Sequence, residues 1–95
     1  MTGRTMIGET SVPRLPRGVR LKFDEPRDQW VLLAPERMFV LDAAAHAIIG
    51  DCDGEKTVAA IVDDLASHFE APRDVILADV VVLLQDFADK GVIAA

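Results

Sequence analysis

The sequence predicts an α+β domain, winged helix-turn-helix-like, with a three-stranded antiparallel sheet followed by three helices. Three observations carry that prediction. Before Asp42 the apolar residues recur with the period of two that strands show, and after it with the 3.6 of helices. Between the two regimes, Glu36 to Ala45 forms a seam: a short apolar strand, Arg37 to Leu41, runs into a helix start at Asp42 with no loop between. The third is length, since 95 residues suffice for one domain with a modest core.

Residues 1–12 are polar, contain Gly3 and Gly8, and lack periodicity, so a disordered N-terminal arm is expected there, with the folded domain over 13–95. Pro13 and Pro16 enforce extended backbone, which tucks Val12 and Leu15 against the domain. Val19 to Asp24 alternates, Val19, Leu21 and Phe23 against Arg20, Lys22 and Asp24, and reads as a half-buried strand. Glu25 to Asp28 is turn chemistry. Gln29 to Leu33 is rich in β-formers and apolar on both faces, as a central strand should be. Ala34 to Glu36 turns the chain into the third strand, Arg37 to Leu41. One face of this meander must be covered, and the helices are the available cover.

Asp42 is placed to cap a first helix to about Asp51, and Gly54 is expected at a left-handed helix terminus. Thr57 caps a second helix, whose Val58, Ile61, Val62, Leu65 and Phe69 form one apolar stripe. A third helix runs from about Asp74 to Lys90. It carries a core stripe, Ile76, Val80, Leu83 and Phe87, and beside it a second, Leu77, Val81 and Leu84. Gly91 stops it and lets Val92 pack back on Phe87. Val92 and Ile93 then form a short strand or a tuck.

Composition excludes several classes. The mean hydropathy is unremarkable, and no run approaches the roughly 18 apolar residues of a membrane span. Nor does the N-terminus have the apolar centre of a signal peptide, so a cytoplasmic location is expected. Residues 1–41 carry seven basic and five acidic side chains, a net of +2, whereas 42–95 carry three against eleven, a net of −8. The acidic helical half opposes a phosphate backbone. A DNA-binding winged helix is the competing interpretation, but its reading helix would present Asp79, Asp86 and Asp89 to the duplex.

Chemistry-bearing clusters are sparse. The lone Cys52 sits between Asp51 and Asp53, whose charges oppose a thiolate, and is expected to be buried or incidental. His46 and His68 stand on different helices, lack metal-ligand spacing and are expected at helix surfaces. Asp51 to Glu55 lacks the spacing of a calcium loop, with glycine fourth where sixth is needed. With no phosphate loop and no nucleophile–base pair, neither a catalytic nor a metal site is expected. Polypeptide binding remains. The Arg37, Met38, Phe39, Val40, Leu41 strand is a candidate edge that can take in an extended peptide as a further strand. The surplus stripe Leu77, Val81 and Leu84 would wall the groove, or is instead buried core or a homodimer contact. Exchange of the sheet hairpin between two copies is a further option, because that hairpin joins the helices without a loop.

The run Pro13-Arg14-Leu15-Pro16-Arg17-Gly18-Val19-Arg20-Leu21, followed by Leu32-Leu33-Ala34-Pro35-Glu36, resembles the PqqD family. So do Leu41-Asp42, Ala45, Ile48, Asp53-Gly54, Thr57-Val58, Ile61, Leu83-Leu84, Phe87 and Lys90-Gly91. The likeness spans residues 13–93, and Asp42 departs from it where Asn is common. The resemblance implies a RiPP recognition element of pyrroloquinoline quinone biosynthesis, a peptide chaperone that binds the ribosomal precursor PqqA and presents it to the radical SAM enzyme PqqE. It further implies docking along Arg37 to Leu41 and against Leu77, Val81, Leu84 and Gln85. The cofactor and iron–sulfur chemistry would belong to the partner enzyme, with no cofactor on this chain.

Overall fold

The computed structural model describes residues 5–95. Three strands come first: β1 Arg20–Asp24, β2 Gln29–Ala34 and β3 Arg37–Leu41. Three helices follow, α1 Ala43–Gly50, α2 Val58–Ala66 and α3 Arg73–Asp89, giving the α+β order that the two periodicities predict. The sheet is antiparallel with β2 at its centre. A short 3₁₀ turn, Glu25–Arg27, joins β1 to β2, with proline setting its first turn.

Register explains the two faces of the sheet. The rows Leu21–Leu32–Phe39 and Phe23–Trp30–Leu41 face the helices, and Leu32 and Leu41 are buried in the core. The alternate rows, Arg20–Leu33–Met38 and Lys22–Val31–Val40, therefore face away from them. Trp30 links sheet to helix: its ring meets Phe23 edge-on at 5.2 Å and stacks on His46 of α1 at 4.2 Å. His46 is thereby half-buried rather than on an open helix surface, whereas His68 is exposed.

The caps form where the residue chemistry places them. The Asp42 carboxylate accepts from the Ala45 N–H at 2.7 Å, and the Thr57 hydroxyl accepts from Ala60 N–H at 3.1 Å. At the far end of α3, Gly91 takes a φ of +76°, its N–H reaching Ala88 O and that of Val92 reaching Phe87 O. Val92 and Ile93 are buried as a tuck, and Ala94 exchanges backbone bonds with Arg14. Gly54 differs from expectation. The helix α1 ends at Gly50, and Gly54 lies in the following loop with φ +79°, donating to Pro13 O. A Cβ there would stand 3.3 Å from Cβ of Arg14, so the glycine serves a close approach of two loops rather than a helix end.

Two apolar positions also differ. Phe69 lies beyond the last turn of α2 and is 48% exposed, because the helix stops at Ala66 before its stripe reaches a further turn. On α3 the fully buried leucine is Leu84, with Leu83 half-buried at the margin, so the core stripe is Ile76, Val80, Leu84 and Phe87. The sequence pattern admits either leucine, and the assembled core takes the second.

The expectation of a disordered arm meets a different structure over its described part. Residues 1–4 lie outside the described residues. From residue 5 the chain lies against α2 and α3, burying Ile7 in the core. Ser11 O and Glu9 O accept from the N–H groups of Val58 and Ala59, the otherwise unpaired donors of the first turn of α2. Arg73 spans Glu9 and Asp63, and its charge is favoured by both carboxylates, Asp63 first. The physical reason is local: an isolated apolar residue and a run of carbonyls suffice to cap a helix, without any periodicity of their own.

In the α1–α2 loop Asp53 accepts from the N–H groups of Lys56 and Glu55, which hold its carboxyl below the usual range. Its neighbour Cys52 is buried, and burial first, then Asp51 and Asp53, push the thiol up to about 12. Asp51 is raised, chiefly by desolvation, while Lys56 approaches it at 3.3 Å.

Candidate functional site

The strand β3 pairs with β2 alone, so its other edge is unpaired among the described residues. Its hairpin has a two-residue loop, Pro35 and Glu36, flanked by the pair Ala34 and Arg37. In such a hairpin the flanking pair exchanges hydrogen bonds, and the pattern alternates from there. Arg37, Phe39 and Leu41 thus spend their backbone groups on β2. Met38 and Val40 turn their N–H and C=O outward to the open edge.

One flank of α3 stands beside that edge. Phe87 meets Phe39 edge-on, with ring centroids 5.5 Å apart. Lys90 reaches over both rings at 5.7 and 5.8 Å, and Arg37 lies over Phe39 at 5.7 Å. Asp86 fixes the Lys90 ammonium at 2.8 Å. The inner side of the β3 edge therefore carries an aromatic pair with two cations over it, one of them already paired with Asp86. Leu83 lies one turn before Phe87 on the same flank, and Asp79 one turn earlier still. There Asp79 joins Ala44, Ile48, Leu65, Phe69 and Val80 around an apolar cavity of about 190 Å³.

Of the nine residues that the sequence singles out, five form this edge: Arg37, Met38, Phe39, Val40 and Leu41. Their side chains divide by the pleat. Leu41 is buried, Phe39 lines the groove, and Met38 and Val40 are 47% and 59% exposed on the opposite face of the sheet. The four on α3 do not share one outward surface. Leu84 is wholly buried at 0% exposure. Val81 and Gln85 lie on the flank taken by the N-terminal segment, where they line a cleft with Met6 and Ile7. Gln85 accepts from Ile7 N–H at 2.9 Å and donates to Thr5 O at 2.7 Å. Leu77, half-buried, lies one turn before Val81. Phe87, a core residue as the sequence predicts, and Lys90 also stand beside Phe39, and neither is among the nine. The available signal was the spacing of Leu83, Phe87 and Lys90, but a helix with two apolar stripes does not reveal which stripe meets the sheet edge.

No group of three or more His, Cys, Asp or Glu among the described residues is arranged to hold a metal ion. No described helix is long and apolar enough to cross a membrane.

Comparison with known proteins follows the same architecture. A family model described as coenzyme PQQ synthesis protein D (PqqD) matches residues 29–93. A protein of Rhodopseudomonas palustris strain TIE-1, named PqqA binding protein, is 54% identical over 88 residues, covering 93% of this chain and 86% of its own. A second of that name, from Bradyrhizobium diazoefficiens, is 48% identical over 85 residues, covering 90% and 82%. The solution NMR structure of the PqqD truncation of Methylobacterium extorquens PqqCD superposes with a TM-score of 0.81 at 45% identity, covering 94% of this chain and 95% of that one. That truncation is described as a functional, stand-alone RiPP recognition element. With the same strand and helix order and matches across most of its length, this chain belongs to the PqqD family.

Proposed function

We propose that the chain is a non-catalytic recognition domain. It binds the precursor peptide PqqA as a fourth strand on the open edge of β3 and presents it to the radical SAM enzyme PqqE in pyrroloquinoline quinone biosynthesis. One observation carries the mode of binding. The outward N–H and C=O groups of Met38 and Val40 form an unpaired ladder beside an aromatic and cationic wall of α3. A strand laid there gains backbone bonds from β3, and alternate side chains face the groove. Relatives named PqqA binding protein support the choice of ligand. Arg37 and Lys90, which lie over the Phe39 ring, would meet acidic side chains of the peptide. The cofactor chemistry resides in the partner enzyme on this proposal, and the chain contributes orientation.

Titrating PqqA into isotopically labelled protein should move the amide resonances of Met38 and Val40 and the side-chain signals of Phe39, Phe87 and Leu83. Shifts confined to α2 would refute the site. Val40→Pro removes one outward donor and should weaken PqqA binding by about tenfold, within the ~0.5–1.5 kcal/mol of a net hydrogen bond. Unchanged affinity in a folded Val40→Pro protein would reject strand addition there.

A further inference from the structure

The face of the sheet turned away from the helices has a composition of its own. Its two rows each begin with a cation on β1 and end with an exposed apolar side chain on β3: Arg20, Leu33, Met38 and Lys22, Val31, Val40. Val31 is 2% exposed although it lies on this outer face and outside the main core cluster. Leu33 is half-buried, and with Arg20 it lines a cleft shared with Gly18, Val19 and Pro35. Met38 and Val40 add two exposed large apolar side chains side by side. Neither Arg20 nor Lys22 makes an ion pair among the described residues. Elsewhere the molecule is acidic, with a net of −8 over residues 42–95.

We propose that this outer sheet face is a second docking surface, for a protein whose contact patch is apolar at its centre and acidic at its rim. Resting on the function proposed above, that protein is the peptide-modifying enzyme. Charge decides the side of approach: an acidic patch is repelled by the helical body and attracted by Arg20 and Lys22. Apolar area supplies the rest, in the pattern of a dry centre with a polar rim. Position matters too. A strand added to β3 would extend both rows by one residue, so alternate side chains of the bound peptide would emerge on this same face beside Met38 and Val40. The enzyme would then meet chain and peptide on one continuous surface.

The test uses the full chain with purified PqqE, with PqqA present and absent. The charge-reversal pair R20E/K22E lies on the sheet edge far from β3 and should leave PqqA affinity within about twofold. It should lower PqqE affinity by at least tenfold in both titrations, and added salt should weaken the wild-type contact in the same direction. The neutral pair R20Q/K22Q should fall between, and it replaces R20E/K22E where reversal disturbs the strand. Unchanged PqqE affinity, absence of PqqE binding to the wild-type chain, or PqqA-induced shifts centred on β1 would each overturn the proposal. So would sedimentation showing this face closed by a second copy, released by R20E/K22E. Failure of the wild-type chain to bind PqqA would instead strike the proposed function, while the titration without peptide still reads the face.

Discussion

Single residues set the chemistry of the groove and exclude it elsewhere. Lys90 is held by Asp86 over two aromatic rings, so one side chain joins the wall of α3 to the floor of β3. Cys52 is the opposite case, a thiol shut away from reaction. Its flanking aspartates were legible in the sequence, and they do oppose the thiolate, but burial is the larger cause of the shift and needs the fold to be seen. A thiol reagent at pH 8 should therefore leave the native protein unmodified and label it fully in denaturant. The sign of the pH effect is fixed as well. Below about 9 the thiol is protonated in both folded and unfolded chains, so its contribution to stability is fully present. Between about 9 and about 12 the unfolded chain loses a proton that the folded chain keeps. Stability should then fall with rising pH by up to about 1.4 kcal/mol per unit. Denaturation of wild type against Cys52→Ala across that range isolates the effect, and parallel curves would contradict it.

At the scale of elements, the strands and helix starts were legible because each is written in local chemistry. Alternation gives β1, a two-sided apolar run gives β2, and Asp42 and Thr57 cap as their side chains dictate. What was not legible depends on contacts between elements. The α3 sequence offers two apolar flanks, and only assembly decides that Phe87 meets Phe39 while Val81 and Gln85 meet the N-terminal segment. For the same reason the residues named on α3 do not share one surface: Leu84 is buried, Val81 and Gln85 line a cleft with the N-terminal segment, and Phe87 is the residue that meets Phe39. The N-terminal segment escaped notice because its hold is one buried side chain and a few carbonyls offered to α2. Ile7→Ala should accordingly destabilise the fold by about 2 kcal/mol, the low end for an apolar truncation at a site near the surface. Urea denaturation checks this. A loss below about 0.5 kcal/mol, the scale of ordinary surface substitutions, would mean that the segment is not anchored.

The whole molecule divides its labour by charge and by face. The helices are acidic, the outer sheet face carries free cations, and the open strand edge lies where the two meet. On the two proposals above, such a division lets a peptide occupy the edge while a protein occupies the face. It was legible only as a charge imbalance between the two halves of the chain, since register alone shows that Arg20 and Lys22 share a face with Met38 and Val40.

The clasp of the N-terminal segment on α3 also has a kinetic side. The sheet closes through short hairpins, but Gln85 holds Ile7 and Thr5 across 78 and 80 residues of chain. Closing so long a loop costs entropy, and a segment held by one buried side chain and a few hydrogen bonds opens more readily than the helices beneath it. The segment should therefore dock last and open first, without melting the helices beneath it. In native-state hydrogen exchange, the amides of Ile7, Val58 and Ala59, which bond through this segment, should exchange together and well ahead of Ile61 and Val62 one turn deeper in α2. Equal protection along α2 would instead mean that segment and helix open as one unit.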